Sequence, residues 1–214
     1  MPQERIYMYM NCFKRIFDFC LSALALVVLS PVMLVTAVLV RVRLGSPVFF
    51  RQERPGRDEK LFRLLKFRTM TDGRDEEGNL LPDELRLTGF GRMLRSTSLD
   101  ELPELFNILR GDMAVVGPRP LLVRYLPYYK LEERIRHSVR PGLTGLAQIS
   151  GRNNLGWDER LALDAEYARH ITLAGDVRII LRTVGKVFRR SDIASGEQLL
   201  MQDLDRERAW MTKE

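Results

Sequence analysis

Asp100 and Glu101 are adjacent acids in the stretch SLDELPEL (98–105), and the motifs around them are basic. Lys66, Arg68 and Thr69 close an apolar segment, and Arg92 and Arg95 come just before the acids. Arg119 stands between two prolines, which restrict its backbone, and Arg140 and Arg152 bracket a glycine-rich turn. Cations converging on one exposed acid pair suit chemistry on a phosphate. A carboxylate attacks phosphorus only where the phosphate charge is neutralised. Magnesium, held through one or two carboxylates and the substrate's own phosphates, is the expected helper. Neighbouring residues on a helix point about 100° apart, so one carboxylate can face phosphorus while the other holds the metal.

Capping is the plainer reading of the same acids. Ser98-Leu99-Asp100-Glu101 fits a capping box, but Pro103 then falls where a helical N–H is needed. A later start, with Asp100 as N-cap and Glu101 as first helical residue, avoids that conflict. For Arg68, Arg92 and Arg95, solvated surface charge is an equal alternative. Arg119 and Arg152 lie on turns defined by glycine and proline, which hold a side chain in place.

The elements that must position these residues follow from periodicity and punctuation. Residues 47–53 and 60–70 read as strands joined by a turn at Arg54-Pro55-Gly56. Residues 71–88 are acidic, polar and broken by Gly and Pro, the pattern of a mobile loop or lid. A short basic helix or turn covers 89–97. The next helix runs to Arg110 and stops at Gly111, with Leu102, Leu105, Phe106 and Leu109 as its expected buried face. A strand at 113–116 leads into Gly117-Pro118-Arg119-Pro120. Residues 121–137 are helical in part, 140–153 form a turn and short strand, and helices follow at 157–171 and 175–190. The last puts Val177, Ile180, Leu181, Val184, Val187 and Phe188 on one side and Arg178, Arg182, Lys186 and Arg189 toward the other. Such a helix either lies on an anionic membrane surface or faces the core with a solvated basic side.

The chain has 214 residues and a net charge of +6, from 34 basic and 28 acidic side chains. That length buries a core without staples, and the charge favours an anionic partner. Cys12 and Cys20 form no CxxC, and His137 and His170 stand apart, so neither a disulfide framework nor a histidine metal site is indicated.

Residues 16–40, IFDFCLSALALVVLSPVMLVTAVLV, are too long and too unpunctuated for a cleavable signal. At ~1.5 Å per residue they reach across a bilayer. Yet Ser30-Pro31 sits in the middle, where proline removes a hydrogen bond. Lys14 and Arg15 precede the segment, and Arg41 and Arg43 follow it. Positive charge marks the cytoplasmic side, so both ends belong there and the segment turns back at Ser30-Pro31. Asp18 then lies at headgroup depth or pairs with a cation. A straight span remains the alternative.

Taken together, these motifs resemble the monotopic phosphoglycosyl transferases, the bacterial sugar transferase family. The marks are KRIFD before an apolar segment with a central Ser-Pro, then KFRTM, RSTSLDELPELFNILRGDMAVVGPRP and RPGLTGLAQISGRN, in that order. The resemblance runs from about Asn11 to about Arg190. It implies an α+β protein: a re-entrant membrane helix-break-helix, broken at Ser30 and Pro31, then a small mixed α/β cytoplasmic catalytic domain with amphipathic interfacial helices. The expected divisions are 1–43 for the membrane anchor, 44–190 for the catalytic domain and 191–214 for a C-terminal tail. The implied reaction moves a sugar phosphate from a UDP-sugar to polyprenyl phosphate, releasing UMP. Asp100 would attack the β-phosphate, Glu101 would bind magnesium, and Lys66, Arg68, Arg95, Arg119 and Arg152 would bind phosphate groups. The implied setting is one leaflet of the bacterial inner membrane, facing the cytoplasm, with membrane lipid as a partner, no nucleic acid, and a homo-oligomer left open.

Two other readings compete. A membrane-tethered module that binds anionic lipid or nucleic acid without catalysis accounts for the charge. It does not account for an acid pair among the cations, and the chain offers no aromatic stacking platform for bases. A nucleotide-sugar hydrolase would release UMP without a lipid acceptor. The sugar itself is not legible; residues 121–136 and 153–170 are candidates for its contacts because they follow the phosphate-binding turns.

Overall fold

The computed structural model describes Tyr9, residues 13–151, 155–189 and 202–212. Helix α1, Lys14–Leu44, runs 31 residues with Pro31 inside it. Residues on both sides of Ser30-Pro31 form one continuous helix. Proline cannot donate to the carbonyl four residues back, which is that of Val27. The Ser30 hydroxyl donates to that carbonyl at 2.8 Å and replaces the missing bond.

One stripe of α1 faces the rest of the protein along its whole length: Lys14, Asp18, Ser22, Met33, Thr36, Val40 and Leu44 are buried. Spacings of three, four and eleven residues, each close to whole helical turns, keep them on one face. The KRIFD motif fastens the first turn. Lys14 pairs with Asp176 at 2.6 Å, and Asp18 accepts the backbone N–H of Val115 at 3.0 Å. Arg15 donates to the carbonyls of Ile108 and Leu109, capping a helix C-terminus. The far end of α1 packs Met33, Val40 and Leu44 against Phe67 and Leu94. The opposite face, including Val27, Val28, Leu34, Val38 and Val42, is exposed and apolar.

Strands β1, Phe49–Pro55, and β2, Leu61–Phe67, form an antiparallel hairpin from Phe49↔Phe67 to Pro55↔Leu61. The acidic loop after it folds back on itself. Met70 bridges Leu87, Arg74 bridges Leu80, and helix α2 spans Asp83–Arg86. Helix α3, Gly89–Ser96, follows, with Thr88 capping it through Gly91 N–H.

Helix α4 is Glu104–Arg110, with Gly111 at φ 94 stopping it as the sequence predicts. Its buried face differs from the predicted one: Phe106 is exposed, whereas Glu104, Leu105, Asn107 and Ile108 are buried. The reason is polar. Asn107 accepts Leu65 N–H and donates to the Arg63 carbonyl, serving β2 where a further strand would. An apolar count cannot place such a residue in the core.

Strand β3, Ala114–Val116, pairs in parallel with β4, Gly142–Thr144. Gly117 and Gly142 make this contact. A Cβ on Gly142 would lie 2.0 Å from the Gly117 nitrogen, so only glycine fits. Helices α5, Leu146–Ser150, α6, Trp157–Arg169, α7, Leu173–Arg189, and α8, Leu204–Glu207, complete the described chain. On α7, Asp176 and Ile179 are buried, but Leu173, Val177, Leu181 and Val184 form an exposed apolar stripe. The core-facing reading of this helix holds for Ile180, which packs against the core beside Ile179, and not for Val177, Leu181 and Val184. The protein is therefore mixed α/β with a long apolar N-terminal helix.

Candidate active site

Asp100 and Glu101 cap no helix. They occupy a 3₁₀ turn, Leu99–Glu101, entered through Ser98 at φ 57. Helix α4 starts only at Glu104, after Pro103. Proline thus keeps the acids out of the α-helix, as a missing N–H requires, and the left-handed Ser98 turns the chain to present them. Both the capping-box and the N-cap expectations are corrected by this geometry.

The acids are also less exposed than expected. Asp100 is 7% accessible, and Glu101 is half-buried. Glu101 Oε1 accepts from Lys66 Nζ at 2.7 Å and from Arg119 Nη2 at 2.5 Å. Lys66 is shared with Glu104, 3.1 Å away. Burial alone would discourage the Glu101 charge, but Arg119 and Lys66 outweigh it and hold the carboxyl far below its ordinary range. Asp100 makes no such pair among the described residues. Burial, then the charge of Glu101, raises its pKa to about 6, with Lys66, Arg119 and Arg95 pulling the other way. Two adjacent acids thus have opposite environments, the arrangement expected where two carboxylates carry different tasks.

A cavity of about 600 Å³ opens beside this turn, lined by Arg95, Glu101 and Arg119 among others. Arg95 also donates to Thr69 at 3.1 Å. Arg119 has 42% of its side chain exposed, so it can serve Glu101 and a ligand. The cavity's apolar wall comes from Leu29 and Val32 of α1 and Ile180 and Val184 of α7. No residue of 71–88 lines it, so the lid reading of that loop gains no support.

Other candidates fall elsewhere. Arg68 is buried, donates to the carbonyls of Met70 and Ser46 and pairs with Asp72 at 2.5 Å. It pins the end of β2 and is not brought to the cavity. Arg140 donates to the Gly111 carbonyl, and Arg92 to that of Leu87. Arg152 lies outside the described residues. His137 packs on Tyr129 and His170 ends α6.

Sequence reasoning missed three members of the site. Glu104 follows Glu101 by three residues, a spacing that was readable. Arg136 and Asp164 pair at 2.9 Å, both buried, and Arg136 also holds the Arg119 carbonyl at 2.7 Å. Twenty-eight positions separate that pair, and no local pattern announces it.

Residues 9–190 match the bacterial sugar transferase family. The chain belongs to that family. It is 51% identical over 174 residues to the "Uncharacterized sugar transferase EpsL" of Bacillus subtilis, covering 81% of this chain and 86% of that protein. It is 40% identical over 183 residues to the "UDP-glucose:undecaprenyl-phosphate glucose-1-phosphate transferase" of Caulobacter vibrioides, covering 80% of this chain and 68% of that one. The Klebsiella pneumoniae protein of the same description is 42% identical over 186 residues, which cover 82% of this chain but 40% of that relative. Family membership gives the Asp-Glu turn its context: an acid pair among cations, on a domain that carries a sugar transferase motif set.

Among the described residues no three His, Cys, Asp or Glu side chains form a metal-binding group. That donor set still fits magnesium, which is commonly held by one or two carboxylates plus water and substrate phosphates. Lys66 and Arg119 both bond the same Glu101 oxygen, so the other oxygen is the one that would face an ion.

Proposed function

We propose that this protein transfers a sugar phosphate from a UDP-sugar to polyprenyl phosphate, undecaprenyl phosphate in a bacterium, as the first membrane step of glycoconjugate or polysaccharide assembly. One observation carries the reading. A buried carboxylate with no ion-pair partner among the described residues stands beside a cationic cavity whose other wall is built from the apolar helices α1 and α7. Phosphate chemistry and a lipid acceptor would meet there. The activities named for the Caulobacter and Klebsiella relatives support the same donor and acceptor classes.

In the first half-reaction an oxygen of Asp100 bonds to the β-phosphorus of the donor. The bond from that phosphorus to the bridging oxygen breaks, and UMP leaves with the electron pair. In the second, a phosphate oxygen of the polyprenyl acceptor bonds to the same phosphorus and displaces Asp100, giving polyprenyl-diphosphate sugar. Arg95 and Arg119 neutralise phosphate charge from the cavity wall, and Lys66 holds Glu101 in place. Glu101 would hold magnesium, which supplies further charge neutralisation when bound.

Both ends of α1 support a membrane setting. A 31-residue helix is about 46 Å long, yet its first turn is bonded to β3 and α7 and its last turn packs on β2 and α3. A simple span would carry one end away from the domain. A re-entrant attachment in one leaflet of the inner membrane, turned at Ser30-Pro31 and facing the cytoplasm, keeps both ends beside it. The exposed apolar stripes of α1 and α7 would lie in lipid.

The test is product stoichiometry. Purified protein with magnesium, a panel of UDP-sugars and undecaprenyl phosphate should yield UMP and lipid-linked sugar diphosphate in equal amounts. Asp100→Asn should lower both by about a thousandfold or more. Continuous UMP release without lipid would make the protein a nucleotide-sugar hydrolase instead.

A further inference from the structure

We propose that Arg160 is a further phosphate-binding residue of the donor site, sharing the cavity with Arg119, and that the C-terminal segment 202–208 positions it. The inference rests on the donor being a nucleoside diphosphate sugar, as proposed above.

Arg160 and Asp164 stand one turn apart on α6, and both line the cavity. Asp164 pairs with Arg136, which also donates to the Arg119 carbonyl and to the Tyr129 hydroxyl. The cavity wall brings the guanidinium groups of Arg95, Arg119 and Arg160 to one space, with Glu101 and Asp164 beside them. Several guanidinium groups converging on one cavity suit a ligand that carries more than one phosphate. Burial, together with the charges of Arg119 and Arg136, lowers the pKa of Arg160 even though Asp164 works against the shift. A bound diphosphate would relieve that repulsion.

The aim of Arg160 is set from outside the matched family region. Its guanidinium carbon lies 5.0 Å from the ring centroid of Trp157, in a cation–π stack. Trp157 is buried, and its indole N–H donates to the Gln202 carbonyl at 2.8 Å. Leu204, wholly buried, packs in one cluster with Trp157, Leu161 and Tyr125. Arg208 clamps Glu133 with two bonds of 2.7 Å each. The segment thus fixes the ring on which Arg160 rests, although the family match ends at residue 190.

The experiment measures UDP and uridine binding to the full chain in lipid nanodiscs, by calorimetry for UDP and saturation-transfer NMR for uridine. Arg160→Ala should weaken UDP binding about ten- to a hundredfold, the range for a lost charge-assisted hydrogen bond, and leave uridine binding unchanged. Arg160→Lys should recover part of the loss. Leu204→Ala, which touches no ligand, should weaken UDP in the same direction but less. Unchanged UDP binding in Arg160→Ala, or an equal loss of UDP and uridine, would overturn the proposal. Unchanged UDP binding in Leu204→Ala would remove the role of the C-terminal segment. A parent protein that binds no UDP would instead refute the donor class.

Discussion

At the scale of single residues, the account turns on Asp100 and Glu101 being neighbours with opposite environments. The nucleophile acts as the carboxylate, so its rate should fall as pH drops through about 6, the raised value of Asp100. Glu101, held far below the usual range, should stay ionised throughout. A pH profile of the first half-reaction, with an acid limb near 6, checks this. A limb near 4 would mean that Asp100 is not so buried when it reacts.

The same shift has a stability sign. The folded pKa lies above that of the unfolded chain, so folded Asp100 holds its proton to higher pH. Its ionisation therefore weakens the fold as pH rises from about 4 to about 6, and the loss is complete above that. Two units correspond to about 3 kcal/mol, an upper value because Asn also changes hydrogen bonding. Asp100→Asn should therefore abolish activity yet raise the melting temperature at pH 7.5. A lower melting temperature would show that the carboxylate is paired in solution.

At the scale of elements, the first turn of α1 is a structural clasp. Lys14 and Asp176 are both buried and 2.6 Å apart, and Asp176 also accepts from Tyr9 and Tyr167. Lys14→Met would leave a buried carboxylate without its cation, which typically costs about 3–5 kcal/mol. A thermal melt in detergent should show that loss, while Asp176→Asn with Lys14→Met should regain part of it. Single and double variants of equal stability would mean that the pair contributes little.

This clasp shows what sequence can and cannot yield. The strands, the stop at Gly111 and the apolar segment were legible because period and punctuation are local signals. Lys14 and Arg15 were read as membrane-flanking charges, and their partners, Asp176 and the carbonyls of Ile108 and Leu109, are far along the chain. The same distance hid Arg136 and Asp164. Asn107 was missed because a polar residue enters a core only when the backbone around it needs its amide.

At the scale of the whole molecule, the site lies where the acid pair and its cations meet the apolar surfaces of α1 and α7. The acid pair and its cations were legible, since they stand in dense short motifs. Arg68 was misplaced because a basic residue at a strand end looks the same whether it binds phosphate or ties down a turn. The attachment of α1 makes a further prediction. If Pro31 favours a re-entrant path, Pro31→Ala should push the helix toward spanning. A reporter at residue 5 should then shift from the cytoplasmic side toward the periplasm. A reporter that stays cytoplasmic in the variant would count against Pro31 as the determinant.

The central claim is that Asp100 becomes covalently joined to a sugar phosphate. The most direct measurement is the intact mass of the protein after mixing with magnesium and a panel of UDP-sugars, without lipid acceptor. The account predicts a gain of one sugar-phosphate unit with one donor, absent in Asp100→Asn and removed when undecaprenyl phosphate is added. UMP release that requires the lipid, with no adduct at any time, would mean direct transfer and contradict the role given to Asp100.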